Sequence, residues 1–127
     1  MTDNLTGLIW LKNPNCFNWQ PWASALNSAN TLASGACGLS DGSQAGQWRL
    51  PNVNELESLV DLSHFSPALP AGNPFTNVQS NAYWTSNTYA TLVGGYVWAW
   101  GVDMTNGGAS SGYNTDYFYV WPVRGGQ

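Results

Sequence analysis

The 127-residue chain carries a net charge of −4, and only 8% of its residues are charged. Its three basic residues, Lys12, Arg49 and Arg124, form no cluster that could neutralise phosphates, which excludes nucleic acid and argues against heparin-like polyanions and anionic membranes. No apolar run approaches the length of a membrane-spanning helix, so direct membrane insertion is not expected. Eight tryptophans and 43% apolar residues are atypical of disordered chains. We therefore predict one globular domain over residues 1–127.

The first half of the chain predicts one short strand and two helices. Residues 5–11 form an apolar run suited to a strand. From Trp22 to Ala33, apolar residues recur every three or four positions, as on one face of an amphipathic helix. Asn52 followed by Glu55 is a capping-box pattern and predicts the start of a second helix. Its buried stripe is predicted to comprise Val53, Leu56, Leu59 and Val60.

The two cysteines have two interpretations. Bridged, Cys16 and Cys37 would close a loop of about 20 residues and stabilise the fold by roughly 3 kcal/mol. Unbridged, they would be small buried residues. Low Lys and Glu content and Gly/Asn/Ser-rich loops favour an oxidising setting, so we predict a secreted or cell-surface location. No signal-peptide pattern follows Met1.

In the last third the apolar period changes from helical to two. Residues 96–104 predict a strand with the even positions, Trp98 to Met104 among them, facing the core and the odd positions, such as Gly101, facing outward. Residues 105–108, TNGG, predict a hairpin turn. Residues 117–124 alternate again, and Pro122 places that strand at an edge or a bulge. Helices followed by antiparallel strands predict an α+β domain.

Several segments resemble a known family. TDNLTGLIWLKN, WRLPNVNELESLVD, NPFTNVQSNAYWTSNTYA and YVWPVRGGQ look like the domain of unknown function DUF1566, which is also named for the C-terminal part of a Legionella collagen-like adhesin. The likeness spans the chain, and WRLPN-x-x-EL and VRGGQ are its most specific pieces. It implies a C-type lectin-like fold related to formylglycine-generating enzymes, with two helices packed on a twisted antiparallel sheet and a long, loop-rich C-terminal half. It also implies a bacterial surface or secreted binding module.

The resemblance assigns one group of residues to the scaffold. We interpret these as structural, and we hypothesise that Arg49 or Arg124 forms a buried ion pair with Glu55 that holds helix to sheet. The scaffold positions are Trp48, Arg49, Leu50, Pro51, Glu55, Leu56, Trp84, Trp100, Val123, Arg124 and Gly125.

Departures from the family concentrate in the C-terminal third. Relatives often carry Trp-Tyr-Val-x-Phe where this chain has WGVDM at residues 100–104. This pattern resembles the variable proteins of diversity-generating retroelements, in which mutated template adenines convert Asn codons to those of other residues. Positions reachable in that way are Thr91, Leu92, Val93, Gly94, Gly101, Asp103, Ser110, Ser111 and Asp116.

We predict a ligand surface formed by the 87–95 loop and the 101–117 strand–turn–strand. Aromatic rings beside amides and hydroxyls suit neutral sugars and protein epitopes equally. A diversified recognition protein and a dedicated lectin or adhesin for neutral glycans therefore both remain open, with a protein or carbohydrate on another cell or surface as the partner. The predicted ligand-binding residues are Asn87, Tyr89, Thr91, Leu92, Val93, Trp98, Gly101, Asp103, Thr105, Ser110, Ser111, Tyr113, Asn114, Asp116 and Tyr117.

Catalysis is not expected. His64 is the only histidine, so a zinc site would lack a second one, and no nucleophile elbow is present. The formylglycine-generating relatives use a cysteine pair in their C-terminal region, whereas both cysteines here lie in the first third, which leaves a sulfatase-modifying enzyme as a remote third alternative. Asp103, Asn106, Asn114 and Asp116 offer oxygen ligands for calcium, but their spacing matches no EF-hand loop. We predict no catalytic residue, metal or cofactor.

Overall fold

The structure, a computed structural model, describes residues 7–70, 72–90, 97–113 and 116–125. Within these residues the chain forms two helices and seven strands, which confirms the α+β prediction. The elements are β1 (Leu8–Trp10), β2 (Trp19–Gln20), α1 (Trp22–Thr31), α2 (Val53–Glu57), β3 (Ala82–Ala90), β4 (Val97–Asp103), β5 (Ala109–Tyr113), β6 (Phe118–Tyr119) and β7 (Val123–Gly125).

The strands form two sheets. One has five strands in the order β2-β6-β3-β4-β5, and the other pairs β1 with β7. The β3–β6 pair is parallel and the other pairs are antiparallel, so the larger sheet is mixed. The predicted strand over 117–124 divides into β6 and β7, which belong to different sheets. Pro122 lies between them and has no N–H for a ladder, while its carbonyl accepts from Leu11 N at 3.1 Å.

Both predicted helices form. Helix α1 turns Ala25 and Ala29 inward, and both are fully buried. The capping box of α2 is confirmed, because the Asn52 side chain accepts from Glu55 N while the Glu55 side chain accepts from Asn52 N. Helix α2 is shorter than the predicted stripe and ends at Glu57, so Leu56 is its buried residue.

The larger sheet is covered on both faces. Val102 and Met104 of β4 enter one apolar cluster together with Trp121, as the alternation predicts. Ala99 enters a second cluster, which contains the inward alanines of α1 and the buried Trp84. Alternation along the sequence identifies the two faces of a strand, but it does not predict that helix α1 covers the face that carries Ala99.

Gly101 corrects the predicted outward face. The residue is buried, and a Cβ placed on it would lie 2.8 Å from Tyr83 O and 2.9 Å from two ring carbons of Phe118. The Phe118 ring stacks on Trp84 with centroids 4.2 Å apart. A Cβ on Gly112 would likewise lie 3.1 Å from Phe118 Cζ and 3.3 Å from Trp84 Cη2. The two glycines thus make room for an aromatic pair, and the prediction that Gly101 faces outward is wrong.

Two links tie the long loops to the sheets. Cys16 and Cys37 form a disulfide across 21 residues, which settles the open pairing. Arg49 donates to the Glu55 carboxylate from Nη1 at 2.7 Å and from Nη2 at 2.8 Å, and its Nη2 also donates to Gly125 O at 3.0 Å. The hypothesised ion pair with Glu55 therefore forms with Arg49, but it is only partly buried, and Arg124 pairs instead with Asp41.

Candidate functional site

A groove of about 400 Å³ opens between the start of α2 and the surface of β3, β4 and β5. We call it the Trp100 groove. Trp100 is 36% exposed, in contrast to the fully buried Trp84 and Trp121. The prediction that Trp100 faces the core is therefore wrong, because the core covers β4 at Val102 but leaves Trp100 at the surface. The groove is lined by Asn52, Val53, Asn54, Asn87, Trp100 and Ala109.

A bulge in β3 positions one wall of the groove. The β3–β4 register shifts between Trp84 and Thr88, and within this interval Ser86 N donates to Pro51 O at 2.8 Å. Asn87 Oδ1 accepts from Val53 N at 2.7 Å, so the Asn87 side chain caps a backbone donor in the first turn of α2. Asn87, a predicted ligand residue, therefore lines the groove and also joins β3 to α2.

Thr85 holds the other side of the bulge. Its side chain is fully buried, and its hydroxyl donates to Trp100 O at 2.7 Å while accepting from Asn87 N at 3.2 Å. Trp22 Nε1 donates to Thr85 O at 3.0 Å, which connects the bulge to α1. One buried hydroxyl thus fixes the relative positions of the indole and the amide of the groove.

The charged residue next to the groove, Glu55, is paired with Arg49. Burial opposes ionisation of Glu55, but hydrogen bonds from Arg49 and from Asn52 N outweigh that effect and lower the pKa of Glu55. The carboxylate is therefore ionised at neutral pH and satisfied by the guanidinium. The six lining residues that the structure describes are uncharged and present an indole, three amides and two small aliphatic groups.

The remaining predicted ligand residues lie in different surroundings. Ser111 and Asp116 are exposed, Trp98 and Ser110 are half-buried, and Tyr117 is exposed. Tyr89 and Tyr113 belong to β3 and β5, but their side chains fall outside what the structure describes. Thr91, Leu92, Val93 and Asn114 also lie outside the described residues, as does Gly94.

Two of the predicted ligand residues build the β4–β5 turn. Asp103 Oδ1 accepts from Thr105 N at 2.8 Å, and Thr105 Oγ1 donates to Ser80 O at 2.9 Å. Asn106 Oδ1 accepts from Gly108 N at 2.9 Å, so two oxygens considered for calcium serve the turn. Among the described residues, no group of three or more His, Cys, Asp or Glu side chains could hold a metal ion.

Sequence reasoning missed Trp19 as a surface residue. It is 57% exposed on β2, and its ring contacts Tyr117 and Tyr119. A tryptophan between Asn18 and Gln20, in a segment with no apolar period, was the available signal for exposure.

A second groove, of about 380 Å³, surrounds Arg124 and includes Lys12. Arg124 Nη2 lies 3.0 Å from Asp41 Oδ2, and the guanidinium lies 5.4 Å from the Trp48 ring centroid. Hydrogen bonds from the hydroxyl and amide of Ser43, followed by Arg124, lower the pKa of Asp41 to about 2 against desolvation. Arg124 thus pairs and stacks within the protein, in keeping with its assignment to the scaffold.

Comparison with known proteins identifies the family. The sequence model of the Lcl C-terminal domain matches residues 1–124, and the chain belongs to that family. The family is named for the Legionella collagen-like protein and is an adhesin-like, surface-associated domain of bacteria. No curated protein and no solved structure matches the chain. None of the helices in the described part of the chain is long and apolar enough to cross a membrane.

Proposed function

We propose, from the membership of this chain in the Lcl C-terminal domain family, that it is a non-enzymatic recognition module that binds a neutral glycan in the Trp100 groove. The observation that carries the proposal is the exposed indole of Trp100 beside the amides of Asn52, Asn54 and Asn87. An aromatic face packs against the C–H groups of a sugar ring, and amides exchange hydrogen bonds with its hydroxyls. A groove without charge favours a neutral sugar over an acidic one.

The chemistry of the groove also supports a non-enzymatic role. Asn, Val, Trp and Ala side chains offer no nucleophile and no general acid or base that titrates near neutral pH. His64 is not among the residues that line the groove. It is exposed, and its Nδ1 lies 3.0 Å from Asp61 Oδ2. Binding without turnover is thus the simplest use of this site. The C-type lectin-like fold and the ligand on another cell or surface belong to the same proposal.

Diversified recognition is the second candidate. Ser111 and Asp116 are exposed and Ser110 is half-buried, which supports variation at these three reachable positions. Gly101 is excluded from that set by its packing. A reverse-transcriptase gene and a near-repeat differing only at adenines, next to the gene for this protein, would support the second candidate. Their absence from the genomic neighbourhood would eliminate it.

A glycan array with the labelled domain tests the first candidate, followed by titration of the best neutral oligosaccharide. We expect Trp100→Ala to weaken binding by roughly tenfold or more, about 1.4 kcal/mol. Phe65→Ala is the matched control, since Phe65 is a ring that is 79% exposed and lies outside the groove. Unchanged affinity in Trp100→Ala would show that the groove is not the binding site.

A further inference from the structure

Three contacting aromatic side chains lie at the surface on β2, on β6 and on the residue before β6, and we call them the aromatic platform: Trp19, Tyr117 and Tyr119. The rings of Trp19 and Tyr119 are nearly parallel, at 23°, with centroids 6.1 Å apart. Tyr117 stands at 69° to Trp19, with centroids 6.4 Å apart. Trp19 is 57% exposed and Tyr117 is 59% exposed. Trp19 is therefore an exposed indole that stacks on Tyr119 and has Tyr117 at a steep angle beside it.

The platform is anchored on the core. Trp19 and Tyr119 are register partners of the β2–β6 pair, and Tyr119 is the register partner of Tyr83 in β3. The Tyr83 ring is fully buried, lies 5.6 Å from Tyr119 and 5.3 Å from Trp121, and its hydroxyl accepts from Gln79 N at 3.0 Å. A series of contacting aromatic rings thus extends from the core to the surface. The outer rings are held before a ligand arrives, which lowers the entropic cost of binding.

The polar edges of the platform are available. Within the described part of the chain, Trp19 Nε1 and the hydroxyls of Tyr117 and Tyr119 make no hydrogen bond to protein, whereas Trp84 Nε1 donates to Gln20 O at 2.7 Å. Purely apolar partners would leave these donors and acceptors without partners on binding, at a cost for each. A ligand that presents both C–H faces and hydroxyl groups would satisfy them.

The charged residues of the protein indicate which class of ligand the aromatic platform favours. The two arginines pair elsewhere, Arg49 with Glu55 and Arg124 with Asp41, and Lys12 lines the second groove. An acidic ligand therefore finds no described cation at the platform. A quaternary ammonium ion would be attracted to the ring faces but would make no use of the free ring-edge groups.

We propose that the aromatic platform is a second neutral-sugar site, in which a pyranose ring stacks on the exposed indole of Trp19 beside Tyr117, while the stacked ring of Tyr119 supports the indole. The inference rests on the proposed glycan recognition and extends it to two sites at separate strands of one sheet. Two sites on one domain would let it engage two branches or two neighbouring chains of a surface polysaccharide, which raises avidity without further contacts.

Ligand-observed NMR with methyl β-D-glucopyranoside and methyl β-D-galactopyranoside tests the proposal at millimolar concentration. We expect Trp100→Ala to retain binding at the platform and the double variant Trp100→Ala with Trp19→Ala to lose roughly tenfold in the remaining affinity. In protein-observed spectra of the wild type, the Trp19 indole N–H resonance should shift saturably with sugar. Trp19→Phe identifies that resonance, and Phe65→Ala is again the exposed-ring control.

The outcomes separate the two sites. Sugar binding that Trp100→Ala abolishes entirely, with no shift of the Trp19 resonance, overturns the platform and leaves the groove. Binding that depends on Trp19 and not on Trp100 supports the platform and removes the groove. Absence of binding to either glycoside and to the glycan array overturns both. A Trp19 resonance that shifts with choline but with neither glycoside overturns the sugar assignment in favour of a cation site.

Discussion

Gly101 is the position at which sequence pattern and packing make opposite predictions. By alternation it is an outward, variable residue, and by contact it is the space that Phe118 and the Tyr83 carbonyl require. We expect Gly101→Ala and Gly101→Ser to destabilise the domain. If the residue tolerated any small side chain, serine would be as acceptable as glycine, and both substitutions would be silent.

The expected magnitude follows from the contacts. A Cβ at 2.8 Å from Tyr83 O cannot be relieved by a side-chain rotation, because the obstacle is backbone, while the contacts at 2.9 Å to Phe118 require the ring to move off Trp84. Overpacking of this kind costs about 1–3 kcal/mol. Replacing glycine recovers about 0.4–1 kcal/mol from the unfolded chain. The midpoints of these ranges give a net loss of about 1.3 kcal/mol for Gly101→Ala, and Gly101→Ser should lose at least as much.

Urea unfolding under non-reducing conditions measures the loss, and thermal melts should fall by roughly 3–10 °C. Ser110→Ala is the matched control, since Ser110 is the register partner of Gly101 in β5. That control should stay within about 0.5 kcal/mol of wild type. Stabilities of both Gly101 variants equal to that of the control would refute the packing argument and restore Gly101 to the outward face.

Three further outcomes follow from the structure. Reduction of the Cys16–Cys37 disulfide should lower the free energy of unfolding by about 3 kcal/mol, measured by urea titration with and without reductant; an unchanged midpoint would contradict it. The pKa of Asp41 is lowered from 3.8 to about 2, chiefly by hydrogen bonds from Ser43, so its contribution to stability is present above pH 3.8 and lost as the pH falls towards 2. In a plot of melting temperature against pH, Asp41→Asn should therefore reduce the slope between pH 3.8 and 2. A slope equal to that of the wild type would contradict this prediction. Thr85→Val removes a buried hydroxyl with two hydrogen bonds and should cost about 1–2 kcal/mol and weaken glycan binding; wild-type values of both would show that the hydroxyl does not hold the groove.

Local patterns predicted the local elements well. Helix α1 follows its apolar period, and the Asn52–Glu55 capping box starts α2 at the predicted residue. These signals succeed because helix formation and capping depend on residues three or four apart in the chain. The hairpin turn at residues 105–108 has the same local origin, since a Gly-rich turn closes β4 onto β5 without help from distant residues.

The site depended on contacts that no local pattern contains. Asn87 and Val53 are 34 residues apart, yet the Asn87 side chain caps the first turn of α2 and so forms the wall of the groove. Trp19 reaches Tyr117 only because β2 pairs with β6 across most of the chain. Pairing at such separation is specified by the whole core, so the sequence does not reveal it residue by residue.

The sequence by itself determined the α+β class, the family, the low content of charged residues and the existence of an aromatic C-terminal segment. Composition and short-range periodicity carry the fold class, and the resemblance of segments such as WRLPNVNELESLVD carries the family. Only the tertiary structure decided which aromatics are exposed: Trp100 and Trp19 lie at the surface while Trp84 and Trp121 are buried. The physical reason is that a strand covered by a second layer buries both of its faces, and the covering element, here α1 against β3 and β4, lies far away in the sequence.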